Sequence, residues 1–447
     1  MSKQKVIIIG AGLSGSLLAI YLVKRGIAVD VYEARQDLRE SKTSGGRSIN
    51  LALSNRGIAA LRAVGMDEYM LSEAVPMRGR MIHATDGQTK LLPYSGRAGE
   101  YINSISRSGL NVALINEAER QPDVRFFFGE KCVGFDCATG ETVFEKERTG
   151  ERSVVKADTT IATDGAGSVV RQAMMHGGVQ RFDFAQTWLA HGYKELHIPP
   201  SADGDFQMEP HALHIWARRS FMMIALPNFD HSFTCTLFLA HTGENSFENL
   251  NDENSLLDFF ETNFSDAVPL MPALTKDFFA NPIGNLGTIK CFPWNVGGRA
   301  LLVGDSAHAI VPFYGQGMNA SFEDCRILDD LIERHGTNWA IVFDAFTRAR
   351  KPDADAIAEM AEENFYEMRD AVADPIFVRK RELETKLEQI FPDYFSKYSM
   401  VTFREDLPYA VAKQKGNAQD KLLMEICEQA GDINEIELDQ VIRKINC

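Results

Sequence analysis

Three glycine-bearing stretches hold the residues of this 447-residue chain best suited to chemistry. In GAGLSG, Gly10, Gly12 and Gly15 take the GxGxxG spacing between a strand-like KVIII and a helix-like LSGSLLAIYLVK. The first glycine of such a pattern makes a tight turn and the second lets the backbone approach a pyrophosphate. The third brings helix onto strand while the helix N-terminus faces the negative charge. Glu33 closes AVDVYE, about 20 residues on, where an acid binds a ribose hydroxyl. ATDG sets Asp164 and Gly165 at a strand end, with Arg171 following; alone it reads as an ordinary turn. GDSAHAIVPFYGQGMN, from Gly304 to Asn319, adds Asp305, Gly315 and Gly317 ahead of another helix. One ligand touched at both ends of the chain explains why a second glycine cluster exists.

The elements that must position these residues follow from the pattern. KVIIIG and AVDVYE read as buried strands flanking a helix, a βαβ unit. The uncharged run from Val6 to Val23 has the length of a membrane span, but its glycine spacing and the strand after it fit strand, turn and helix. Helical text continues to about Val75, strand-like text from Met77 to Ile102, and SRSGLNVALINEAERQ returns to helix. From about Thr187 to Gly284 lie β-rich runs (HALHIWA, FMMIALPN, SFTCTLFLA) and a polar helix near Ser255 to Phe264; these read as a separate sheet. RALLVGD is another buried strand, and beyond Trp339 the pattern is helical almost throughout.

Composition excludes some classes of partner. A formal net charge of −15 argues against nucleic acid or an anionic membrane surface. Seven scattered cysteines without a CxxC pair predict idle thiols in a reducing compartment, not a disulfide frame or zinc site. With no apolar anchor at the C-terminal end, a soluble cytoplasmic protein is expected.

Taken together, GAGLSG, ATDGAGSVVR and GDSAHAIVPFYGQGMN resemble the FAD-dependent aromatic hydroxylases, the single-component flavin monooxygenases. The resemblance implies an α/β fold with an interrupted Rossmann-like FAD-binding domain (1–76, 103–186 and 285–340). It also implies an inserted β-sheet substrate domain (77–102 and 187–284) and a C-terminal helical segment (341–447). It implies bound FAD, with Glu33 at the adenosine, Asp305 at the ribityl chain, and the isoalloxazine beside Pro312, Gly315 and Gly317. Cofactor contacts are further implied at Gly10, Gly12, Leu13, Ser14, Gly15, Arg35, Arg47, Leu51, Arg107, Asp164, Gly165, Met318 and Asn319. NADPH is the implied transient reductant, and Asp164-Gly165 matches the motif tied to both nucleotides.

GRSINLALSNRG, MRGRMIH, HIWARRSFMMIALPN, FYGQGMN, ENFYEM and KYSMVTF are similar to the kynurenine-hydroxylating members of that family, across nearly the whole chain. That similarity implies L-kynurenine as substrate, with Arg80 and Tyr94 on its carboxylate, Asn364 assisting, and Tyr398 where C-terminal helices close the pocket. No catalytic acid or base is implied, because the flavin carries the chemistry. The sequence departs from the family at Tyr314, where some members carry histidine, and at Ala217-Arg218, where proline is common. It also lacks the hydrophobic tail of animal members.

Blander readings stand beside these. Arg80 by itself reads as an arginine that snorkels or pairs with a surface acid. His308 reads as a packed or capping histidine. HIW and FMMIAL read as sheet core, with Phe233 and Met222 as candidate pocket residues. AEMAEENFYEM is a solvated helix face from which Asn364 and Glu367 stand out only by resemblance. A hydroxylase for another aminobenzoyl or hydroxybenzoate substrate and a non-catalytic, flavin-bound redox-responsive protein are the rival functions. A flavin halogenase is disfavoured because no WxWxIP surrounds Trp188, Trp216, Trp294 or Trp339.

Overall fold

The computed structural model describes residues 4–40, 50–179, 181–370, 374–430 and 432–446. Its centre is a five-stranded parallel sheet in the order Ala300–Leu302, Thr159–Ala162, Lys5–Ile9, Ala28–Glu33, Val124–Phe128. The strands Lys5–Ile9, Thr159–Ala162 and Ala300–Leu302 are apolar runs without alternation, as a sheet covered on both faces requires. The helix Leu13–Lys24 is buried around most of its girth and packs between Arg107–Glu119 and Gly317–His335. In this sheet the carboxyl ends of three adjacent strands lead into Gly10, Thr163-Asp164 and Val303-Gly304-Asp305. Ligands of open α/β sheets bind at that edge.

A second, seven-stranded sheet runs Gly284–Phe292, Asp183–Ile198, Phe233–Ala240, Met222–Pro227, Ala212–Ala217, Gly79–His83, Thr89–Pro93. It is antiparallel except where Ala212–Ala217 pairs with Gly79–His83. Strand alternation gives it two different faces. Met223, Ala225, Phe233, Cys235, Leu237 and Leu239 pack with Phe260 and Phe264 of the covering helices. Met222, Leu226 and Phe238 pack instead with Phe313, Met360, Phe365 and Tyr398. Phe233 is therefore core, contrary to the expectation that it lines the pocket.

The expected domain boundaries at 186/187 and 284/285 fall within paired strands, since Gln186 faces Ile289 and Thr187 faces Thr288 in continuous register. A smaller sheet of Asn50–Leu53, Ile102–Ser106 and Val75–Met77 joins the two large ones. The long helix Trp339–Asp370 belongs to both cores. Val342, Phe343 and Phe346 pack with the parallel sheet, and Ile357, Met360 and Phe365 with the mixed one. The helices Pro375–Ile390 and Tyr409–Gln429 form a further core around Leu383, Leu387, Leu423 and Cys427.

Among the described residues, the six cysteines are buried and form no disulfide, and no helix is long and apolar enough to cross a membrane.

The glycine turn provides a direct test of this packing. A Cβ on Gly15 would sit 2.0 Å from the Gly10 carbonyl oxygen, whereas one on Gly12 meets nothing within 4 Å. Gly15→Ala is expected to cost about 1–3 kcal/mol in overpacking and lower the thermal midpoint, read by scanning fluorimetry. Gly12→Ala should leave the midpoint of the flavin-free protein unchanged and lower only the flavin content after reconstitution.

Candidate active site

Gly10 has a φ of +99°, which places it in the range that favours glycine. A Cβ there would strike the Thr163 carbonyl oxygen at 2.6 Å, so the turn and the Asp164 loop are in direct contact. Beside it, Glu33 accepts the Ala11 N–H through Oε2 (2.9 Å), and the Arg35 N–H (3.0 Å) and Arg35 Nε (2.8 Å) through Oε1. Burial alone would raise the Glu33 carboxyl, but the Arg35 side-chain and backbone bonds outweigh it and hold the group below its ordinary range.

The second and third motifs interlock. Ser306 Oγ donates to Asp164 Oδ1 (3.0 Å) and accepts the Gly165 N–H (3.0 Å), while Asp164 Oδ2 accepts the Val169 N–H (2.8 Å). Arg171 Nη1 donates to the Ser306 carbonyl (2.7 Å) and Nη2 to the Ala166 carbonyl. The arginine is thus a brace between the two loops. Asp305 has an accessible surface, yet that surface belongs to the cavity and not to the outside of the molecule. Desolvation raises its carboxyl pKa, with His308 and Arg107 pulling the other way. His308 itself bonds Asp324 through Nε2 (2.6 Å) and is buried, as its packed reading predicts.

The two large sheets and the loops between them line a cavity of about 970 Å³. Gly10, Gly12, Leu13, Ser14, Glu33, Arg35, Leu51, Arg107, Asp164, Gly165, Asp305, Pro312, Gly315, Gly317 and Met318 line it, as do Arg80, Tyr94 and Tyr398. The expected residues therefore meet, although they come from segments hundreds of positions apart. Gly15 does not line the cavity, because its place is the helix–strand contact. Asn319 is also behind the wall. Its Oδ1 accepts the Ser54 N–H (2.9 Å) and its Nδ2 donates to the Ala52 and Gly315 carbonyls (both 2.8 Å). Arg47 lies outside the described residues.

Where the cavity meets the seven-stranded sheet, its chemistry changes. Arg80 is 9% exposed and reaches over the rings of Tyr398 (5.0 Å to the centroid) and Tyr94 (5.7 Å). Arg80 Nε and Tyr94 Oη are sealed from solvent and have no hydrogen-bond partner among the described residues. Tyr94 stacks on Tyr398 (5.3 Å) and Tyr398 on Tyr314 (5.7 Å). Burial pushes the phenols of Tyr94, Tyr314 and Tyr398 upward, so all three are neutral donors. Met222, Ile224, Leu226 and Phe238 complete this part of the lining.

Asn364 is a correction. Its Nδ2 donates to the Phe313 carbonyl (2.6 Å), with Met368 Sδ at 3.3 Å, so it anchors the loop from behind and does not face the cavity. Phe238 and Leu213 are lining residues that the sequence reading missed; the period-2 alternation that exposes Met222 would have found Phe238.

The cavity suits FAD on three observations: space beside Gly12 that a side chain would enter, an acid at the end of the second strand, and an accessible carboxylate at Asp305 deep in the interior. Parallel sheet, glycine turn and inserted mixed sheet around one cavity define a flavoprotein monooxygenase fold. The profile of the family described as FAD binding domain matches residues 3–361. The kynurenine 3-monooxygenase of Myxococcus xanthus is 45% identical over 446 residues, covering 99% of this chain and 95% of that one. That of Anopheles gambiae is 42% identical over 424 residues, covering 94% and 86%. The chain belongs to the kynurenine 3-monooxygenase family, within the wider FAD-binding group. Among solved structures, the tetrameric form of 2-methyl-3-hydroxypyridine-5-carboxylic acid oxygenase superposes with a TM-score of 0.67 at 19% identity, covering 86% of this chain and 98% of that one. The p-nitrophenol 4-monooxygenase of Pseudomonas putida gives 0.66 at 17%, covering 94% and 98%. These two likenesses speak for the fold.

Asp305→Ala should separate binding from stability. Removing a carboxylate that faces the cavity, and whose pKa desolvation raises, is expected to leave the flavin-free protein no less stable. Losing a charged acceptor, about 1.5–3 kcal/mol, weakens FAD retention by about ten- to a hundredfold. Flavin dissociation constants and apoprotein melting curves check the two halves.

Proposed function

We propose that this enzyme hydroxylates L-kynurenine to 3-hydroxy-L-kynurenine with NADPH and dioxygen. The observation that carries the reading is the unpartnered pair, Arg80 Nε and Tyr94 Oη, buried against an aromatic stack. A guanidinium with no carboxylate partner among the described residues calls for an anionic ligand, and its planar fork matches a carboxylate.

When bound, the flavin supplies the redox chemistry, taking a hydride from NADPH and activating dioxygen so that one atom enters the aromatic ring. In this reading the chain's residues bind, orient and exclude water. Arg80 and Tyr94 hold the amino-acid carboxylate, and Tyr398 with Tyr314 lies against the ring. Met222, Ile224, Leu226 and Phe238 keep the surroundings apolar. Glu33, Asp164 and Asp305, the carboxylates that line the cavity, all belong to the nucleotide-binding loops. This supports a reaction with no protein general base, because the substrate's own ring amine activates the adjacent carbon. The nucleotide contacts proposed are the lining residues of the three motifs with Leu51 and Arg107, and Arg47 is kept as a cofactor contact by resemblance. The discontinuous FAD-binding unit proposed is 1–76, 103–186 and 285–340, sharing one strand ladder with the inserted sheet at 186 and 285, with 341–447 closing the pocket. Buried unpaired cysteines and a net charge of −15 support a cytoplasmic setting.

The primary test is NADPH oxidation with L-kynurenine, anthranilate or 4-hydroxybenzoate, with products identified by mass. Product from either of the latter alone would replace the substrate assignment, and product from none would remove it. Arg80→Lys keeps the charge but loses the fork. An apparent KM for kynurenine raised by about ten- to a hundredfold is expected from losing a charged hydrogen bond, and an unchanged KM would make Arg80 structural. Tyr398→Phe should keep FAD and kynurenine-stimulated NADPH oxidation, but divert flux to hydrogen peroxide, because a looser wall admits water. Product per NADPH, with peroxide measured in parallel, decides it; a wild-type ratio would take Tyr398 out of the water-excluding wall.

A further inference from the structure

Arg56 is among the most deeply buried charges of the protein, at 1% exposure, and lies outside the cavity. It is the second residue of the helix Asn55–Val64, just after the strand Asn50–Leu53 that lines the cavity through Asn50 and Leu51. Its Nε donates to the Val401 carbonyl (2.9 Å) and its Nη2 to the Leu407 carbonyl (2.5 Å). Its neighbour Asn55 donates to the Phe403 carbonyl (3.0 Å). Val401 and Phe403 lie in the last turn of the helix Lys397–Phe403, which carries Tyr398. Carbonyls there have no partner within the helix, so Asn55 and Arg56 together cap that helix from outside.

The other side of Arg56 leads to the flavin loop. Nη1 pairs with Glu323 Oε1 (2.7 Å), Glu323 Oε2 with Arg350 (2.8 Å), and Arg350 Nε with Asp324 Oδ1 (2.7 Å). Asp324 Oδ2 in turn accepts the Gly304 N–H (3.1 Å) and His308 Nε2 (2.6 Å), the two groups flanking Asp305. The guanidinium also lies 3.8 Å from the ring centroid of Tyr409, whose hydroxyl donates to Gln316 Oε1 (2.9 Å) between Gly315 and Gly317. Ser54, two residues before Arg56, donates its hydroxyl to the same Gln316 oxygen (3.4 Å). A hydrogen-bonded route through Glu323, Arg350 and Asp324, and a second route through the Arg56–Tyr409 ring contact, thus join the Tyr398 helix to the cofactor loops.

A buried guanidinium needs partners to offset the cost of taking its charge out of water, and replacing such a network by apolar residues often costs nothing in stability. Rigid placement is what it offers beyond stability. We infer that Arg56 is a positioning residue for the hydroxylation: it holds the helix Lys397–Phe403, and with it Tyr398, in register with the Asp305 and Gln316 loops, so that ring and cofactor stay apposed and water stays out. The inference rests on the proposed kynurenine hydroxylation for its catalytic readout.

Arg56→Lys retains charge but loses at least one of the three directions that the guanidinium spans. In the FAD-loaded enzyme we expect product per NADPH to fall to about half or less, with hydrogen peroxide rising to match, while the rate of kynurenine-stimulated NADPH oxidation changes less. Hydrogen exchange of the amides in 397–403 should quicken by about tenfold or more, exposing the loss of its external cap. Tyr409→Phe keeps the ring beneath the guanidinium and removes only the Gln316 bond; it should show the same shift to peroxide in milder form. A fall in melting temperature with unchanged product per NADPH and unchanged exchange would make Arg56 a stabilising brace only, overturning the inference. If Arg56→Lys does not fold, a wild-type peroxide yield in Tyr409→Phe overturns it. Absence of 3-hydroxykynurenine from the unaltered enzyme would defeat the substrate assignment instead, and the exchange measurement would still judge the brace.

Discussion

Parallel pairing of Lys5–Ile9 with Thr159–Ala162, and of the latter with Ala300–Leu302, is the constraint from which the site follows. Parallel strands end on the same edge, so three loops remote in sequence emerge side by side. Their contacts then fix them to one another: Gly10 against the Thr163 carbonyl, and Ser306 bridging Asp164 and Gly165. Had any of these strands been antiparallel, its loop would have emerged at the opposite edge and no shared cavity would form. The apolar, non-alternating sequence of the strands is thus a condition for the nucleotide site as much as for the core.

Against this preorganised edge, the inserted sheet contributes an environment of a different kind. Arg80 Nε and Tyr94 Oη are buried without a hydrogen-bond partner among the described residues, and an unsatisfied buried polar group costs about 1–3 kcal/mol. The protein keeps that cost because Gly79–His83 is held between Ala212–Ala217 and Thr89–Pro93. The stack of Tyr94, Tyr398 and Tyr314 leaves the side chains little room to turn toward water. Both atoms are thus held in place before any ligand arrives, which lowers the ordering cost of binding there.

Local signals were legible in the sequence to the extent that they are local. The GxGxxG turn, the acid of Glu33 and the helix beginning at Gly317 follow from spacing and periodicity, and the structure has them at those positions. Arg80, Tyr94 and Tyr398 carried no such signal; only likeness to a family singled them out. Asn364 shows the limit of that route, since likeness gives a position but not the partner, and its amide turns to the Phe313 carbonyl. Phe233 and Phe238 differ only in strand parity, which decides core against cavity. The Arg56 network was invisible because Arg56 and Val401 stand 345 positions apart and no periodicity links them.

The two-faced sheet has a consequence for how this enzyme could change over evolutionary time. Met222, Ile224 and Leu226 look into the cavity, while Met223 and Ala225, interleaved with them, look into a core of phenylalanines. Shape of the pocket and cohesion of the sheet are therefore encoded by alternate letters of the same words. Drift at the cavity letters is free to explore new ring substituents while the core letters stay under separate selection. A scaffold so divided can diversify in substrate without first having to rebuild its fold.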